Sequence, residues 1–377
     1  MCGCRRHGQQ WRKTQRSWRH HRSGVRPRRV GHPGLRPECS WPWNLPRPLA
    51  NYAPHYSVGI TRSSVATHIS NLTAQGKAKG RGNVVADEPY VVVIGGANVD
   101  IEGRCSTPPL PNESNPGAVA ISAGGVARNI AANLASTGLQ THLVTALGED
   151  DHGQLIHDRT AKSGVDLSSV LWTSQHPTAT YLSIVDANGE LLMAVNDMAI
   201  TAVVDRKAIA ARTELLRHAR VVVVDCNLDD EALDEITSLS PAVFVDTTSV
   251  AKAPRIRPYL DRVHTLKPNR AEATALTGID IHNTETARRA AQWLLDAGVA
   301  AVYVTLGSDG VVWADQDGCG GFLSAPQIHA LSTTGAGDAF TAALVMGFCN
   351  LTGPDQLVEL ATEQAAAIST QLTPGPQ

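Results

Sequence analysis

Residues 334–340 read Thr-Gly-Ala-Gly-Asp-Ala-Phe and are the most informative stretch of this chain. The glycines allow the backbone to close around an oxyanion, and the apolar run at 339–346 predicts a helix whose N-terminal dipole attracts negative charge. Asp338, at the start of that helix, is placed to take a proton from a substrate hydroxyl. For the pattern in isolation, the alternative is a glycine-rich turn with Asp338 as an ordinary helix cap.

Short apolar runs recur along the chain at the spacing of strands in an alternating α/β fold. Residues 91–94 form a continuous β-branched run that ends in Gly95-Gly96, as expected for a strand buried on both faces. Residues 287–297 carry an apolar stripe at helical spacing that ends before Gly298. This alternation predicts a mainly parallel sheet with helices on both faces. Further strands are predicted at residues 142–146, 221–225, 242–246 and 301–305.

Two segments break the alternation. Residues 99–123 are rich in proline, and residues 179–196 predict two strands joined by a hairpin turn at 186–189. We expect these segments to form a small β lid over the main sheet. Such a lid would exclude water from a phosphoryl-transfer site, and its exposed strand edges favour a homodimer formed through the lid.

Residues 1–86 differ in composition from the rest of the chain. They contain 16 Lys or Arg and one acid, Glu38, whereas residues 87–377 contain 17 Lys or Arg and 34 acids. They also hold four of the seven tryptophans and a proline-rich patch at 33–54, without a sustained apolar period. This composition predicts a basic, disordered N-terminal arm followed by a folded domain at 87–377. Nucleic-acid binding and a transit peptide are less favoured alternatives for the arm.

The composition also limits where the protein works. No apolar stretch of the sequence reaches the roughly 20 residues needed to span a bilayer, and no signal-peptide core is visible. The seven cysteines are irregularly spaced and include no C-x-x-C pair, which argues against a zinc site or a disulfide framework. We therefore predict a soluble cytoplasmic protein without a membrane partner.

Two further motifs place polar residues near the carboxyl end of the first predicted strand. Asn98 and Asp100 come just after the first strand, where ligands of open α/β sheets bind, and they suit vicinal sugar hydroxyls. A turn or capping role is the alternative for this pair. Gly124-Gly125 opens a predicted helix with Asn129 one turn in, which allows close approach to a ligand, or simply makes a tight joint. No G-x-G-x-x-G follows the first strand, which weakens a dinucleotide-binding interpretation.

The pairing of Gly124-Gly125-x-x-x-Asn129 with Thr334-Gly335-Ala336-Gly337-Asp338 resembles the two signatures of the ribokinase-like (pfkB) carbohydrate kinase family. The resemblance covers residues 90–370, and both 267–272 (KPNRAE) and 305–310 (TLGSDG) match further elements of the family. It implies an α/β fold, the ribokinase-like three-layer sandwich with a mainly parallel central sheet and a small β lid. It also implies an enzyme that transfers a phosphoryl group from ATP to an alcohol of a small sugar or nucleoside.

The resemblance further implies a role for each motif residue. Asp338 is implied as the base that activates a primary hydroxyl. ATP is the implied cosubstrate, and Mg²⁺ is held largely through water by Asn269 and Glu272, for which a helix cap with a capping-box acid is the alternative. The implied anion hole comprises Gly335, Ala336 and Gly337. The implied ATP-site residues are Thr305, Gly307, Gly310 and Thr334. The implied substrate-site residues are Asn98, Asp100, Gly124, Gly125 and Asn129.

Within the family, several stretches are most similar to the pseudouridine kinases. Two of these are 114–117 in the lid and 225–227 after a strand, so Asn115 and Asn227 join the implied substrate site. Val126 stands where a ribokinase more often has Lys, and loss of that cation suits a bulkier nucleoside. The implied reaction is phosphorylation of the 5′-hydroxyl of pseudouridine, with a ribokinase or another nucleoside or sugar kinase as the alternative.

Two departures from the family pattern affect these expectations. Ser332 is neutral where most members have an Asp that helps to hold a monovalent cation, so activation by K⁺ is doubtful. The sequence stops at Gln377, whereas family members usually continue with another loop and helix beside the adenine pocket. A non-catalytic remnant that binds ligand without transferring phosphate is therefore a third hypothesis.

Overall fold

The structure is a computed structural model, and it describes residues 89–328 and 335–370. Strands and helices alternate through most of this part of the chain, as the apolar runs predict. The strands are β1 Val91–Ile94, β2 Asn98–Cys105, β3 Gly117–Gly124, β4 Thr141–Val144, β5 Ala146–Gly148, β6 Leu171–Thr173, β7 Thr180–Val185, β8 Leu191–Asp197, β9 Val221–Asp225, β10 Val243–Asp246, β11 Thr265–Lys267, β12 Ala301–Thr305, β13 Val311–Asp315 and β14 Gly320–Leu323.

The helices lie between these strands and after the last of them. Three 3₁₀ segments of the described residues lie at Ala199–Val203, Ala253–Arg262 and Gly307–Asp309. The α-helices are α1 Val126–Ser136, α2 Asp151–Ala161, α3 Arg206–Ala210, α4 Thr213–His218, α5 Asp230–Leu239, α6 Arg270–Thr277, α7 Thr284–Asp296, α8 Ala336–Cys349 and α9 Pro354–Ser369.

Eight strands form the central sheet in the order β14-β13-β12-β11-β10-β9-β1-β4. Every neighbouring pair from β12 to β4 is parallel, whereas β13 is antiparallel to both of its neighbours. Parallel strands in succession require crossover helices, which is why strands and helices alternate in the sequence. The predicted α/β fold with a mainly parallel sheet is confirmed.

Alternate residues of the central strands face opposite sides of the sheet and pack into separate cores. Val92 and Ile94 lie in one apolar cluster with residues of α5 and α7. Val91 and Val93 lie in another with residues of α1, α8 and α9. The all-apolar run of β1 therefore results from burial on both faces, and the fold has three layers.

A second sheet has the order β3-β2-β7-β8, and it contains both segments that break the alternation. Its β7-β8 hairpin turns at residues 186–189, where Gly189 has a φ of 89°. This sheet carries exposed apolar side chains, including Val119, Leu191, Met193 and Val195. We call this element the small sheet.

Some boundaries differ from the sequence predictions. The run at 142–146 divides into β4 and β5, and β5 leaves the central sheet to pair with β6. The three-residue strand Thr265–Lys267 was not predicted, because a short run ending in Lys lacks a strand-like apolar pattern. The antiparallel β13 was not predicted either, although residues 311–314 are apolar. Among the helices of the described ranges, none has the length and apolarity to cross a membrane.

Candidate active site

Four neighbouring strands end in a polar side chain at the carboxyl edge of the central sheet. Asp225, Asp246, Lys267 and Thr305 are the last residues of β9, β10, β11 and β12. Carboxyl ends of adjacent parallel strands lie at the same edge, so the strand register itself collects these groups. A cavity of about 490 Å³ opens there, and Asp246, Lys267 and Thr305 are among its lining residues.

The first turn of α8 also lines this cavity. Gly335 precedes the helix with a φ of 80°, a left-handed conformation that favours glycine, and no side chain caps the helix start. The first N–H groups of an α-helix have no intrahelical partner, so the backbone of Ala336, Gly337 and Asp338 is suited to an anion. Ala336, Gly337 and Asp338 all line the cavity.

Asn129 contacts Asp338, which is one of the residues that line the cavity. Asn129 Nδ2 donates a hydrogen bond of 2.8 Å to Asp338 Oδ2. Gly125, before α1, has a φ of 99°, and a Cβ there would lie 2.5 Å from Gly96 O. The tight glycine joint therefore permits α1 to begin directly against the loop after β1. The two glycine motifs of the sequence meet in one site.

Asp338 is 9% exposed and lies in a charged environment. Burial, followed by the negative charge of Asp246, raises the pKa of Asp338 to about 7. The hydrogen bond from Asn129 and the positive charge of Lys267 act in the opposite direction. A carboxyl group with a pKa near neutrality can both accept and release a proton under ordinary conditions.

Lys267 provides a buried cation beside the start of α8. Its Nζ lies 2.7 Å from Asp246 Oδ2, and a Cβ at Gly337 would lie 3.0 Å from that nitrogen. Burial lowers the pKa of Lys267, but the charge and hydrogen bond of Asp246 together with the charges of Asp338 and Glu272 outweigh burial and raise it. Thr341 Oγ1 also donates to Asp246 Oδ2 at 3.1 Å. The ion pair is thus fixed from β10, β11 and α8.

Asp100 stands at the start of the small sheet with Asn98 as its neighbour. Asn98 Nδ2 donates to Asp100 Oδ1 at 2.6 Å. Burial raises the pKa of Asp100, while the bond from Asn98 and the positive charge of Arg128 oppose that rise. A Cβ at Gly124 would lie 2.1 Å from Asp100 Oδ2, so glycine is needed there for close approach. The predicted sugar-facing residues Asn98, Asp100 and Gly124 are therefore neighbours.

A buried carboxylate, Asp225, ties the backbone of this region together. It accepts hydrogen bonds from the N–H groups of Gly96 at 2.8 Å, Ala127 at 3.1 Å and Asn227 at 2.9 Å. These groups belong to the loop after β1, the first turn of α1 and the loop after β9. Burial raises the pKa of Asp225. One side chain thereby holds three segments of the site in register.

Asn269 and Glu272 form a capping box at the start of α6, which was the alternative interpretation of the pair. Asn269 Oδ1 accepts from the Glu272 N–H at 3.0 Å, and Glu272 Oε2 accepts from the Asn269 N–H at 2.8 Å. Thr247 Oγ1 donates to the same Oε2 at 2.6 Å. Within residues 89–328 and 335–370, no group of three or more His, Cys, Asp or Glu side chains is placed to hold a metal.

Asn269 and Glu272 nevertheless both line the cavity, and Glu272 is 5% exposed. Carboxylate and amide oxygens are the donor types that Mg²⁺ uses, and this ion keeps several waters and takes further ligands from substrate phosphates. The donor set therefore fits a water-mediated Mg²⁺ site that is completed by phosphate oxygens.

The predicted nucleotide-site residues lie at the β12 end of the cavity. Thr305, Gly307 and Gly310 are lining residues, with φ values of 65° at Gly307 and 124° at Gly310. A Cβ at Gly310 would lie 2.0 Å from Leu323 O, so this turn packs directly against the end of β14. Thr334 and Ser332 lie outside the described residues.

The two remaining predicted residues have other contacts. Asn227 is buried beside Gly96, and its Oδ1 accepts a hydrogen bond from Lys252 Nζ. Both ends of the Asn115 amide are used inside its own loop: Oδ1 accepts from the Leu110 N–H, and Nδ2 donates to the Leu110 and Glu113 carbonyls. In this structure Asn115 therefore stabilises the loop between β2 and β3.

Sequence reasoning missed several groups that the structure places here. Asp225 and Asp246 were given no role although each ends a predicted strand, so the rule that pointed to Asn98 and Asp100 applies to them equally. Lys267 was quoted in a motif without a role, because the strand that it ends was not predicted. Arg128 was quoted within a motif and given no role, although it contacts Asn129 directly. Its signal would have been that Arg128 is the one charged residue in the helix Val126–Ser136 and lies in the first turn.

Comparison with known proteins places this geometry in a family. A model described as pfkB family carbohydrate kinase matches residues 88–375. The chain is 38% identical over 260 residues to the pseudouridine kinase of Escherichia coli (strain K12), covering 68% of this chain and 83% of that protein. It is 37% identical over 291 residues to the uncharacterized sugar kinase YeiI of the same organism, covering 77% and 80%.

A solved structure has the same fold. The structure of Arabidopsis thaliana ribokinase complexed with ribose and ATP superposes with a TM-score of 0.69 and 26% sequence identity, covering 76% of this chain and 94% of that one.

Proposed function

The chain belongs to the pfkB family of carbohydrate kinases and is a phosphotransferase with an alcohol acceptor, and we propose that its acceptor is the 5′-hydroxyl of pseudouridine. The observation that carries the proposal is the position of Asp338: a buried carboxyl in the first turn of α8, hydrogen-bonded to Asn129 at the wall of the cavity. Similarity to a pseudouridine kinase over 83% of that protein supports the choice of substrate.

In the proposed reaction, Asp338 accepts the proton of the attacking hydroxyl. Its carboxylate is the reactive form, and the bond from Asn129 and the charge of Lys267 favour that form against burial. Because Asn129 occupies Oδ2, the other carboxylate oxygen remains to receive the substrate hydroxyl. Proton acceptance in this position makes the hydroxyl oxygen a better nucleophile towards phosphorus.

The start of α8 would stabilise the phosphoryl group during transfer. The backbone N–H groups of Ala336 and Gly337 point along the helix axis towards the cavity, where the helix dipole adds positive potential. Lys267 lies beside Gly337 and supplies a positive charge, which its ion pair with Asp246 partly neutralises. These groups are fixed before substrate binds, so little reorganisation accompanies the charge shift.

ATP would occupy the end of the cavity formed by Thr305, Gly307 and Gly310, next to the α6 cap. Asn269 and Glu272 would hold Mg²⁺ there through water. When bound, the ion neutralises phosphate charge.

Asn98 and Asp100 would bind hydroxyls of the ribose. Their side chains are hydrogen-bonded to each other at the start of β2. In its ionised form Asp100 is a hydrogen-bond acceptor. The small sheet then covers the substrate side of the site and restricts water, the competing acceptor of the phosphoryl group.

The test is ADP release from Mg-ATP with pseudouridine, uridine and ribose as acceptors, compared by kcat/KM. Pseudouridine carries a ring N–H that uridine lacks, and an unmatched buried polar group costs about ten- to a hundredfold in kcat/KM. We expect pseudouridine to be preferred by that margin. Equal or higher efficiency on ribose would reassign the substrate, an outcome for which the likeness to the ribose-bound ribokinase gives a specific reason. Ligand-induced stabilisation without ADP release would identify a non-catalytic protein.

A further inference from the structure

Arg128 interacts electrostatically with Asp100 and Asp338 and forms hydrogen bonds to three different elements. Its Nη1 donates to Asn129 Oδ1 at 2.8 Å and to Ala123 O, at the end of the small sheet, at 3.3 Å. Its Nε donates to Thr160 Oγ1 of α2 at 3.2 Å. Thr160 is fully buried and donates in turn to Ile156 O at 2.6 Å. The guanidinium is therefore held in place by hydrogen bonds from both Nε and Nη1.

The contact with Asn129 determines which way the amide faces. A guanidinium is a donor only, so the atom of Asn129 that it meets must be the carbonyl oxygen. The other end of the amide, the NH₂ group, is then the one that faces Asp338. Without the arginine, a rotated Asn129 would present an oxygen to the carboxylate, which is repulsive.

We propose that Arg128 is a positioning residue for phosphoryl transfer: it fixes the amide of Asn129 so that Nδ2 donates to Asp338 and keeps that carboxylate oriented towards the acceptor hydroxyl. The proposal rests on the proposed role of Asp338 as the base. Arg128 acts through Asn129 and needs no contact with the substrate for this role.

The charged groups around Asp338 influence its pKa, so a change in this arrangement can be measured in the pH dependence of activity. Asp225 faces it from β9, Asp246 from β10, Lys267 from β11 and Arg128 from α1. The two aspartates favour protonation of Asp338, whereas the lysine, the arginine and the Asn129 hydrogen bond favour the carboxylate. Removing Arg128 therefore removes a direct charge and a correctly oriented donor, and both losses raise the pKa of Asp338.

A double-mutant cycle separates action through Asn129 from independent action. The variants are Arg128→Met, which keeps an apolar stem of similar length, Asn129→Ala, and both together. We expect about a tenfold loss of kcat for Arg128→Met in the wild-type background, with the KM for ATP within about twofold. In the Asn129→Ala background the same substitution should change kcat by less than about threefold, because the amide to be oriented is gone.

The acid limb of the pH profile of kcat should also move to higher pH in Arg128→Met. Arg159→Ala is the matched control: this exposed arginine of α2 lies in the same region and donates to Ile121 O, without contacting Asn129. It should leave both kcat and the acid limb unchanged. Thermal unfolding of each variant verifies that it is folded.

Equal losses in the two backgrounds would overturn the proposal, because Arg128 would then act independently of Asn129. An unshifted acid limb would also count against it. If Arg128→Met does not fold, Arg128→Leu takes its place in the cycle with the same two outcomes, since leucine also lacks both the charge and the N–H donors of the guanidinium. Failure of the proposed function is distinguishable, because it would appear in the wild type as no ADP release with any acceptor, or as full activity in Asp338→Asn.

Discussion

The side chains of Asn129 and Asp338 form a 2.8 Å hydrogen bond, although 209 residues separate them in the sequence. Asn129 belongs to the second turn after a glycine joint, and Asp338 to the first turn of a helix that starts at a left-handed glycine. Both helices pack on the same face of the central sheet, in the cluster that includes Val91 and Val93. This hydrogen bond therefore shows that the two glycine motifs, which lie near opposite ends of the domain sequence, contribute to the same candidate site.

Asp338→Asn should keep the fold and remove the proton acceptor. We expect kcat to fall by about 10²- to 10⁴-fold with a modest change in KM, which is the range for a positioned general base. Steady-state kinetics with Mg-ATP and the best acceptor measure it. A variant that retains half of the wild-type turnover would remove Asp338 from the role of base.

Activity should depend on pH through the ionisation of Asp338, whose pKa burial raises to about 7. Only the carboxylate accepts a proton, so kcat/KM should rise with pH up to about 7 and level off above it. Asp246→Asn removes a negative charge that raises this pKa, so its acid limb should move to lower pH. A limb that stays in place or moves upwards in the variant would contradict this electrostatic account.

Gly124→Ala should weaken binding of the acceptor selectively. The added methyl would lie 2.1 Å from Asp100 Oδ2, so the carboxylate must move away from its place beside Asn98. We expect about a tenfold rise in the KM for the acceptor and little change in the KM for ATP. Gly353→Ala is the control, because its φ is −63° and no atom lies within 4 Å of the added methyl. A parallel rise in both KM values would indicate general damage.

His264 should make the protein less stable at mildly acidic pH. It stacks on Phe244 with ring centroids 5.4 Å apart, and burial lowers the pKa of His264 to about 4. As the pH falls below about 6.5, the unfolded state binds a proton that the native state does not, so stability is lost until the pH reaches about 4. Between pH 7.5 and pH 5, His264→Phe should lose about 2 kcal/mol less unfolding free energy than the wild type. Urea unfolding at the two pH values measures this, and identical losses would contradict it.

The sequence predicted those parts of the fold that a local pattern determines. The strands Val221–Asp225 and Ala301–Thr305 match their predicted bounds, because a β-branched run buried on both faces has few other possible structures. The strand Thr265–Lys267 was missed because three residues carry too little pattern, and its sheet partners lie on other segments. Whether a strand could be predicted from the sequence therefore depended on its length and on its partner strands rather than on its residue types.

The site was predictable to the same extent. Glycines and Asp338 form a continuous motif, so the sequence pointed to them directly. Lys267 ends a strand and is buried at 6% exposure only because Asp246, on the adjacent strand, neutralises it. A sequence does not show that pairing, and a lysine alone is usually interpreted as a solvated residue. Asn269 and Glu272 show the reverse, since their capping box follows from spacing alone.

The position of β1 in the central sheet has a consequence for synthesis of the chain. β1 pairs with β4 on one side and with β9 on the other, so residues 91–94 have only one partner strand until residue 225 has been made. During that interval a nascent chain would present a β-branched edge that other chains can extend, which is a common route to aggregation. Expression at a low level, or with chaperone capacity to cover this edge, should therefore raise the yield of folded enzyme.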